Sequence, residues 1–360
     1  MKTWSAITGS GSYIPEQRIV NEDFLKNEFY GQNGIRIDKP NEEVIRQFHK
    51  ITGILERRYV TEDQLTSDIA FQAGRNALTD ADVDGETLDY IIVAHNFGDV
   101  RKDTRRSEFV PSLASRVKNH LNIANPSTVA YDLIFGCPGW LQGVMNLDDL
   151  IRAGKAKRGL IIGAETLSRI ADPHDRDSMI YADGAGAIVV EATFSDTPTG
   201  ILSHCAKSFT GDLTYVLKMG KSNNPAFQEN DLFLKMDGHT LYENALKNVP
   251  KVIRETIDKA GLSISDIDKF LIHQANKKMD EAILQRTFAE YGIKATTYDV
   301  MPMTISWLGN SSVATLPTLY DLLNRGQLEH QAIAPGSILV FVSLGAGVNI
   351  NAMVYRVPGK

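Results

Sequence analysis

The chain has 360 residues, 43% of them hydrophobic, and a formal net charge of −6 at pH 7, enough for two fused domains or one large layered one and short of the basic face that general nucleic-acid binding needs. No apolar run approaches the ~20 residues of a membrane helix, and the polar start Met1-Lys2-Thr3-Trp4-Ser5 is no signal peptide, so a cytoplasmic protein is expected. Cys137 and Cys205 are the only cysteines, without paired spacing, which suggests neither a disulfide framework nor a zinc cage.

Near the start, Gly9 and Gly11 resemble a phosphate cradle, as do Gly184, Gly186, Gly345 and Gly347 further on. No complete G-x-G-x-x-G or P-loop appears, so tight packing and turns are the expected reading. A long lead-in, residues 27–40, is followed by the apolar strand Leu88 to Val93 and an enlarged loop, residues 95–111. The strand Thr128 to Asp132 then leads through Gly136 and Cys137 into the amphipathic pattern Leu141, Val144, Met145, Leu147, Leu150, Ile151. Cys137 thus sits at a helix N-terminus, where unpaired amides favour a thiolate and make a nucleophile. A polar cluster, Asp172, His174, Asp175 and Asp177, lies in a Pro-containing loop without metal-site spacing, so no metal is expected there.

Two later junctions repeat the arrangement around Cys137. Phe270-Leu271-Ile272 ends in His273, with a helix expected from Lys277 to Phe288. Trp307-Leu308-Gly309 carries Asn310 into a helical run ending near Leu323. Singly, His273 reads as a core histidine and Asn310 as a helix cap. Together with Cys137 they place a nucleophile and two neutral polar groups at strand ends, where open α/β folds build their sites. Thr128 to Gly163 is echoed by Thr296 to Val342, and Leu88 to Val93 by Ile267 to Ile272. Duplicated halves are therefore expected, residues 1–195 carrying the cysteine and 196–360 the histidine and asparagine, joined across turn-rich segments near 195–230. Near-continuous apolar strands alternating with helices imply an α/β fold with sheets covered on both faces.

The ordered set Gly9 to Glu16, Thr52 to Arg58, the cysteine turn, Asp172 to Arg176, Asp183 to Ala187, His273 to Asn276, Gly309 to Ala314 and Gly345 to Gly347 resembles the ketoacyl-ACP synthase III group of the thiolase superfamily. The resemblance implies a five-layer αβαβα thiolase fold and a decarboxylative Claisen condensation. An acyl-CoA or acyl-ACP would acylate Cys137. His273 and Asn310 would donate hydrogen bonds to the malonyl-ACP thioester carbonyl, and the amides of Cys137 and Ala346 would form the oxyanion hole. No metal or redox cofactor is implied. Arg176, Asn276 and Lys278 would serve donor or carrier binding, with acyl carrier protein as partner and a homodimer as the assembly. Lys247, Lys251, Arg254 and Lys277 read first as a solvated basic face. Before Thr52 the segment Arg46-Gln47-Phe48-His49 departs from the usual adenine clamp. The 95–111 loop implies that Phe109 shapes a partner's acyl pocket. Glu108 is either an exposed carboxylate or, in an alternative specialised enzyme joining two acyl or ketoacyl thioesters, a base.

Overall fold

The computed structural model describes residues 1–294 and 298–359. Its first half runs β1 (Lys2–Tyr13), β2 (Gln17–Val20), α1 (Asn41–Thr52), β3 (Glu56–Tyr59), α2 (Thr66–Ala81) and β4 (Tyr90–Ala94). The short pair β5 (Asp99–Val100) and β6 (Ser107–Glu108) follows, then α3 (Leu113–His120), β7 (Val129–Leu133), α4 (Gly139–Arg152), β8 (Arg158–Thr166) and β9 (Asp183–Ser195). The second half begins at β10 (Gly200–Ser208), then β11 (Leu217–Gly220), β12 (Phe233–Met236), α5 (Gly238–Lys259), β13 (Lys269–Ile272) and α6 (Lys277–Glu290). It ends with the single turn α7 (Ile305–Leu308), α8 (Thr315–Asn324), β14 (Ile338–Gly345) and β15 (Asn349–Arg356).

One sheet has the order β1-β9-β8-β4-β7, the other β10-β15-β14-β13. In both, the first two pairings are antiparallel and the next is parallel. The segment expected to echo Thr128 to Asp132 starts at Thr296 and Thr297, which lie outside the described residues. Phe270 N–H does donate to the Val300 carbonyl at 2.8 Å.

Three apolar clusters define the layers. Alternation along β14 sends Leu339 and Phe341 to one face, where they meet Leu141, Val144 and Leu147 of α4 and Leu316 and Leu319 of α8. Ile338, Val340 and Val342 point the other way, against Val249 and Ile253 of α5 and Ile283 of α6. Likewise Leu160 and Ile162 of β8 face Ala70, Ala73 and Ala77 of α2. The result is helices, sheet, helices, sheet, helices, so strands buried on both faces read as continuous apolar runs.

The early glycines serve this packing. A Cβ on Gly9 or Gly11 would come within 2.5 or 2.4 Å of the α2 backbone, and one on Gly186 within 2.5 Å of Thr318 N on α8. Among the described residues, no helix is long and apolar enough to cross a membrane.

Candidate active site

Cys137 follows β7 through a turn in which Gly136 adopts φ +69°, a conformation that favours glycine. Gly136 N–H donates to Asn96 Oδ1 at 2.9 Å. Pro138 is the N-cap of α4, so the thiol stands at the helix start. The turn ending β14 closes against it. A Cβ on Gly345 would lie 2.4 Å from Cys137 N, and one on Gly136 2.7 Å from Ala346 N. Among the described residues, the Cys137 and Ala346 amides donate to no loop, turn or cap carbonyl.

His273 directly follows β13, and its position is secured by the next residue. Gln274 Oε1 accepts from the Thr304 and Ile305 amides, while Nε2 donates to the Ile272 carbonyl. Burial pushes the His273 imidazole down to about 4, so the ring is neutral. Asn310 is tied through its main chain to Ile180 and Ala182. Its Oδ1 accepts from Ser312 N–H at 2.8 Å, which leaves Nδ2 as the donor end of the amide, without a hydrogen bond among the described residues. The alternative of Asn310 as no more than a helix cap does not hold for α8, which starts at Thr315 with Ala314 as its N-cap; Asn310 closes a tight turn just ahead of the 3-10 turn Ser312–Ala314.

Cys137, His273 and Asn310 line one cavity of about 300 Å³, together with Ser312, Gly345 and Ala346. Its remaining wall is largely apolar, including Phe97, Ile134, Leu217, Leu234, Met236 and Leu241. Thus the three predicted residues and both proposed oxyanion donors converge. Asn276 lines the same cavity and caps α6, accepting from Met279 N–H at 2.8 Å.

The expected lowering of the thiol pKa is reversed. Burial pushes Cys137 up to about 11, the Ser312 hydroxyl opposes this, and the Glu165 carboxylate adds to it. Amides at a helix start favour an anion by only ~0.3–2 kcal/mol, which does not overturn the burial. Ser312 Oγ donates to Cys137 Sγ at 3.4 Å, and Asn96 Nδ2 donates to Ser312 Oγ at 3.2 Å. The Asn96 main-chain and side-chain nitrogens also donate to Glu165 Oε2, at 3.1 and 2.8 Å. Burial pushes Glu165 up to about 7. Asn96, Glu165 and Ser312 escaped the sequence reading, although Asn96 stands at a strand end as His273 does.

Other predicted residues lie apart from the cavity wall. Arg176 is exposed, 3.9 Å from Asp177. In the neighbouring cluster the Lys235 ammonium bonds to both Asp172 and Asp175. Lys278, Lys247 and Lys251 are exposed on α6 and α5, while Arg254 donates to the Glu290 carbonyl. Phe48 is buried in the core beside Arg57. Phe109 is 41% exposed with its ring 5.9 Å from that of His95. Glu108 accepts from Arg101 at 2.8 Å, and that bond holds its carboxyl below the usual range. Within one chain neither Phe109 nor Glu108 lines the cavity.

Two family descriptions match: 3-Oxoacyl-[acyl-carrier-protein (ACP)] synthase III over residues 131–208, and its C-terminal part over residues 257–357. The chain is 32% identical to a beta-ketoacyl-acyl-carrier-protein synthase III of Erythrobacter litoralis, covering 98% of this chain and 99% of the relative. It is 31% identical to the like-named protein of Neisseria meningitidis, with 98% and 99% covered. The crystal structure of 3-oxoacyl-acyl-carrier-protein synthase III from Aquifex aeolicus superposes with a TM-score of 0.78 at 27% identity, covering 98% of this chain and 99% of that one.

Proposed function

The chain belongs to the 3-oxoacyl-acyl-carrier-protein synthase III family of condensing acyltransferases on the thiolase fold, and on that premise we propose that it joins an acyl thioester to malonyl-ACP by decarboxylative Claisen condensation. What carries the reading is the convergence of Cys137, His273 and Asn310 with the Gly345–Ala346 turn in one mostly apolar cavity.

In the first half-reaction Cys137 sulfur attacks the acyl thioester, and the donor leaves as a thiol. In the second, the bond from malonyl carbon to its carboxylate breaks, CO₂ leaves, and the electron pair moves onto the thioester oxygen. His273 Nε2–H and Asn310 Nδ2–H would hold that oxygen, each worth ~3 kcal/mol in the transition state. A neutral His273 suits this role, because it offers a donor without carrying a charge. The enolate carbon then attacks acyl-Cys137. The resulting oxyanion would rest between the Cys137 and Ala346 amides until sulfur leaves and is reprotonated.

The chemistry needs no metal or redox cofactor. Acyl carrier protein is the proposed partner, and Lys278 with its exposed lysine neighbours suits its acidic surface. A homodimer belongs to the reading, since Phe109 and Val110 on the loop are exposed. Glu108, ionised beside Arg101, is poorly suited to the base role that a condensation of two saturated acyl thioesters would require.

The half-reactions separate the roles. His273→Ala and Asn310→Ala should retain much of the acyl transfer to Cys137 yet lose malonyl-ACP decarboxylation by ~10²-fold or more each. Decarboxylation at the parent rate in both variants would remove these residues from the second step.

A further inference from the structure

β4 and β8 run side by side in parallel, with Ala94 opposite Gly163. Carried past the end of β4, that register sets Asn96 against Glu165. Both Asn96 nitrogens reach Glu165 Oε2, the main chain at 3.1 Å and Nδ2 at 2.8 Å. At the other end of the amide, Oδ1 accepts from Gly136 N–H at 2.9 Å. These partners fix which way the amide lies, because turning it over would set its oxygen against a carboxylate and its NH₂ against an N–H. The second hydrogen of Nδ2 goes to Ser312 Oγ at 3.2 Å.

Ser312 passes this constraint on to the sulfur. Its hydroxyl has a single hydrogen, and toward Asn96 its oxygen already acts as acceptor. Among the described residues the other partner of Oγ is Cys137 Sγ at 3.4 Å, so the hydrogen points at sulfur. The backbone gives an independent sign that this side chain is used. Ser312 adopts φ +54°, in the left-handed region that favours glycine, and such strain collects at functional sites. Its N–H, which donates to Asn310 Oδ1 at 2.8 Å, is a group that glycine would also supply. What serine adds at this strained position is the hydroxyl.

We propose that Ser312 is a further catalytic residue, the hydrogen-bond donor that holds the sulfur anion of Cys137, and that Asn96 is the positioning residue that keeps its hydroxyl aimed there. Sulfur carries negative charge twice in the proposed cycle, when it attacks the donor thioester and when it leaves after the carbon–carbon bond has formed. A donor already oriented toward it stabilises both moments without reorganising. The inference rests on the reading of Cys137 as the nucleophile, and its test keeps the two apart.

The test is the pH profile of Cys137 alkylation by iodoacetamide, read on the Cys137 peptide by mass spectrometry, beside the rate of Cys137 acylation by acyl-CoA or acyl-ACP. It compares the full-length parent with Ser312→Gly, Asn96→Ala and the double variant. Ser312→Gly keeps the N–H to Asn310 and relieves the left-handed backbone, so the fold should be retained. Its profile should move up by about one pH unit, with alkylation near pH 8.5 and acylation each about tenfold slower. Asn96→Ala should slow alkylation where Ser312 is present and not in the Ser312→Gly background. Such slowing cannot come from Glu165, because losing the Asn96 donors keeps that carboxyl neutral to higher pH, which favours the thiolate. An unmoved profile in Ser312→Gly would overturn the donor role. Equal slowing by Asn96→Ala in both backgrounds would overturn the positioning role and assign the effect to the Gly136 turn. A moved profile with acylation at the parent rate would support the contact and overturn instead the reading of Cys137 as the nucleophile.

Discussion

At Cys137 opposing influences compete for the thiol proton. Burial and the Glu165 charge favour the thiol, and the Ser312 hydroxyl favours the thiolate. Glu165 titrates near 7, so its charge opposes ionisation of Cys137 above that pH and not below it. Glu165→Gln should therefore speed alkylation of Cys137 by iodoacetamide about three- to tenfold near pH 8.5 and leave it almost unchanged near pH 5.5. Superimposable rate–pH curves would show that Glu165 does not govern the thiol. Stability follows the same titration. The folded pKa is raised, so this carboxyl's contribution is full below its ordinary 4.5 and is lost as pH rises through about 7. The glutamine variant should accordingly gain on the parent in urea unfolding as pH is raised from about 5 to about 8. Cys137 and His273 were legible in the sequence because each follows a strand pattern, and Asn310 because a glycine turn carries it toward a helical run, although what precedes it is the helical turn α7 and no strand end. Glu165 was not, because a carboxylate at a strand end looks solvent-exposed until another layer covers it.

The two facing turns, 134–138 and 345–348, are the elements on which the geometry depends. Gly345 is tied to its type by backbone, since an added Cβ would meet Cys137 N at 2.4 Å and Pro138 Cδ at 2.7 Å. Gly345→Ala should push the turns apart, costing ~1–3 kcal/mol of stability and lowering condensation by ~10²-fold through the displaced amides. Ala346→Gly should keep most of the activity, because only its main-chain N–H is used. Thermal melts and steady-state rates of the two variants check this, and a fully active Gly345→Ala enzyme would contradict the proposed oxyanion hole. Helix positions were close to expectation, with α4 and α6 beginning where the amphipathic patterns do. The β11–β12 ribbon was missed, though Leu217, Leu234 and Met236 line the cavity. Four-residue strands are too short for periodicity to show, and the polar segment between them reads only as turns.

The whole molecule places its chemistry in the middle of five layers. Repeating the strand order in two sheets brings α4 and α8 into one central layer, so the turns leading into them share a cavity although 173 residues separate Cys137 from Asn310. The repeat could be seen in the sequence because the strands of each half end on similar signals. Which faces meet could not, because a run such as Leu160 to Ile162 is apolar on both sides and does not say which helices cover it. Acyl transfer to the central thiol is the claim on which the rest depends. Intact-mass measurement after incubation with acyl-CoA or acyl-ACP tests it most directly. The expected result is the addition of one acyl group, mapped to Cys137 and absent in Cys137→Ala, with condensation abolished in that variant. A Cys137→Ala enzyme that still condenses at the parent rate would contradict the account.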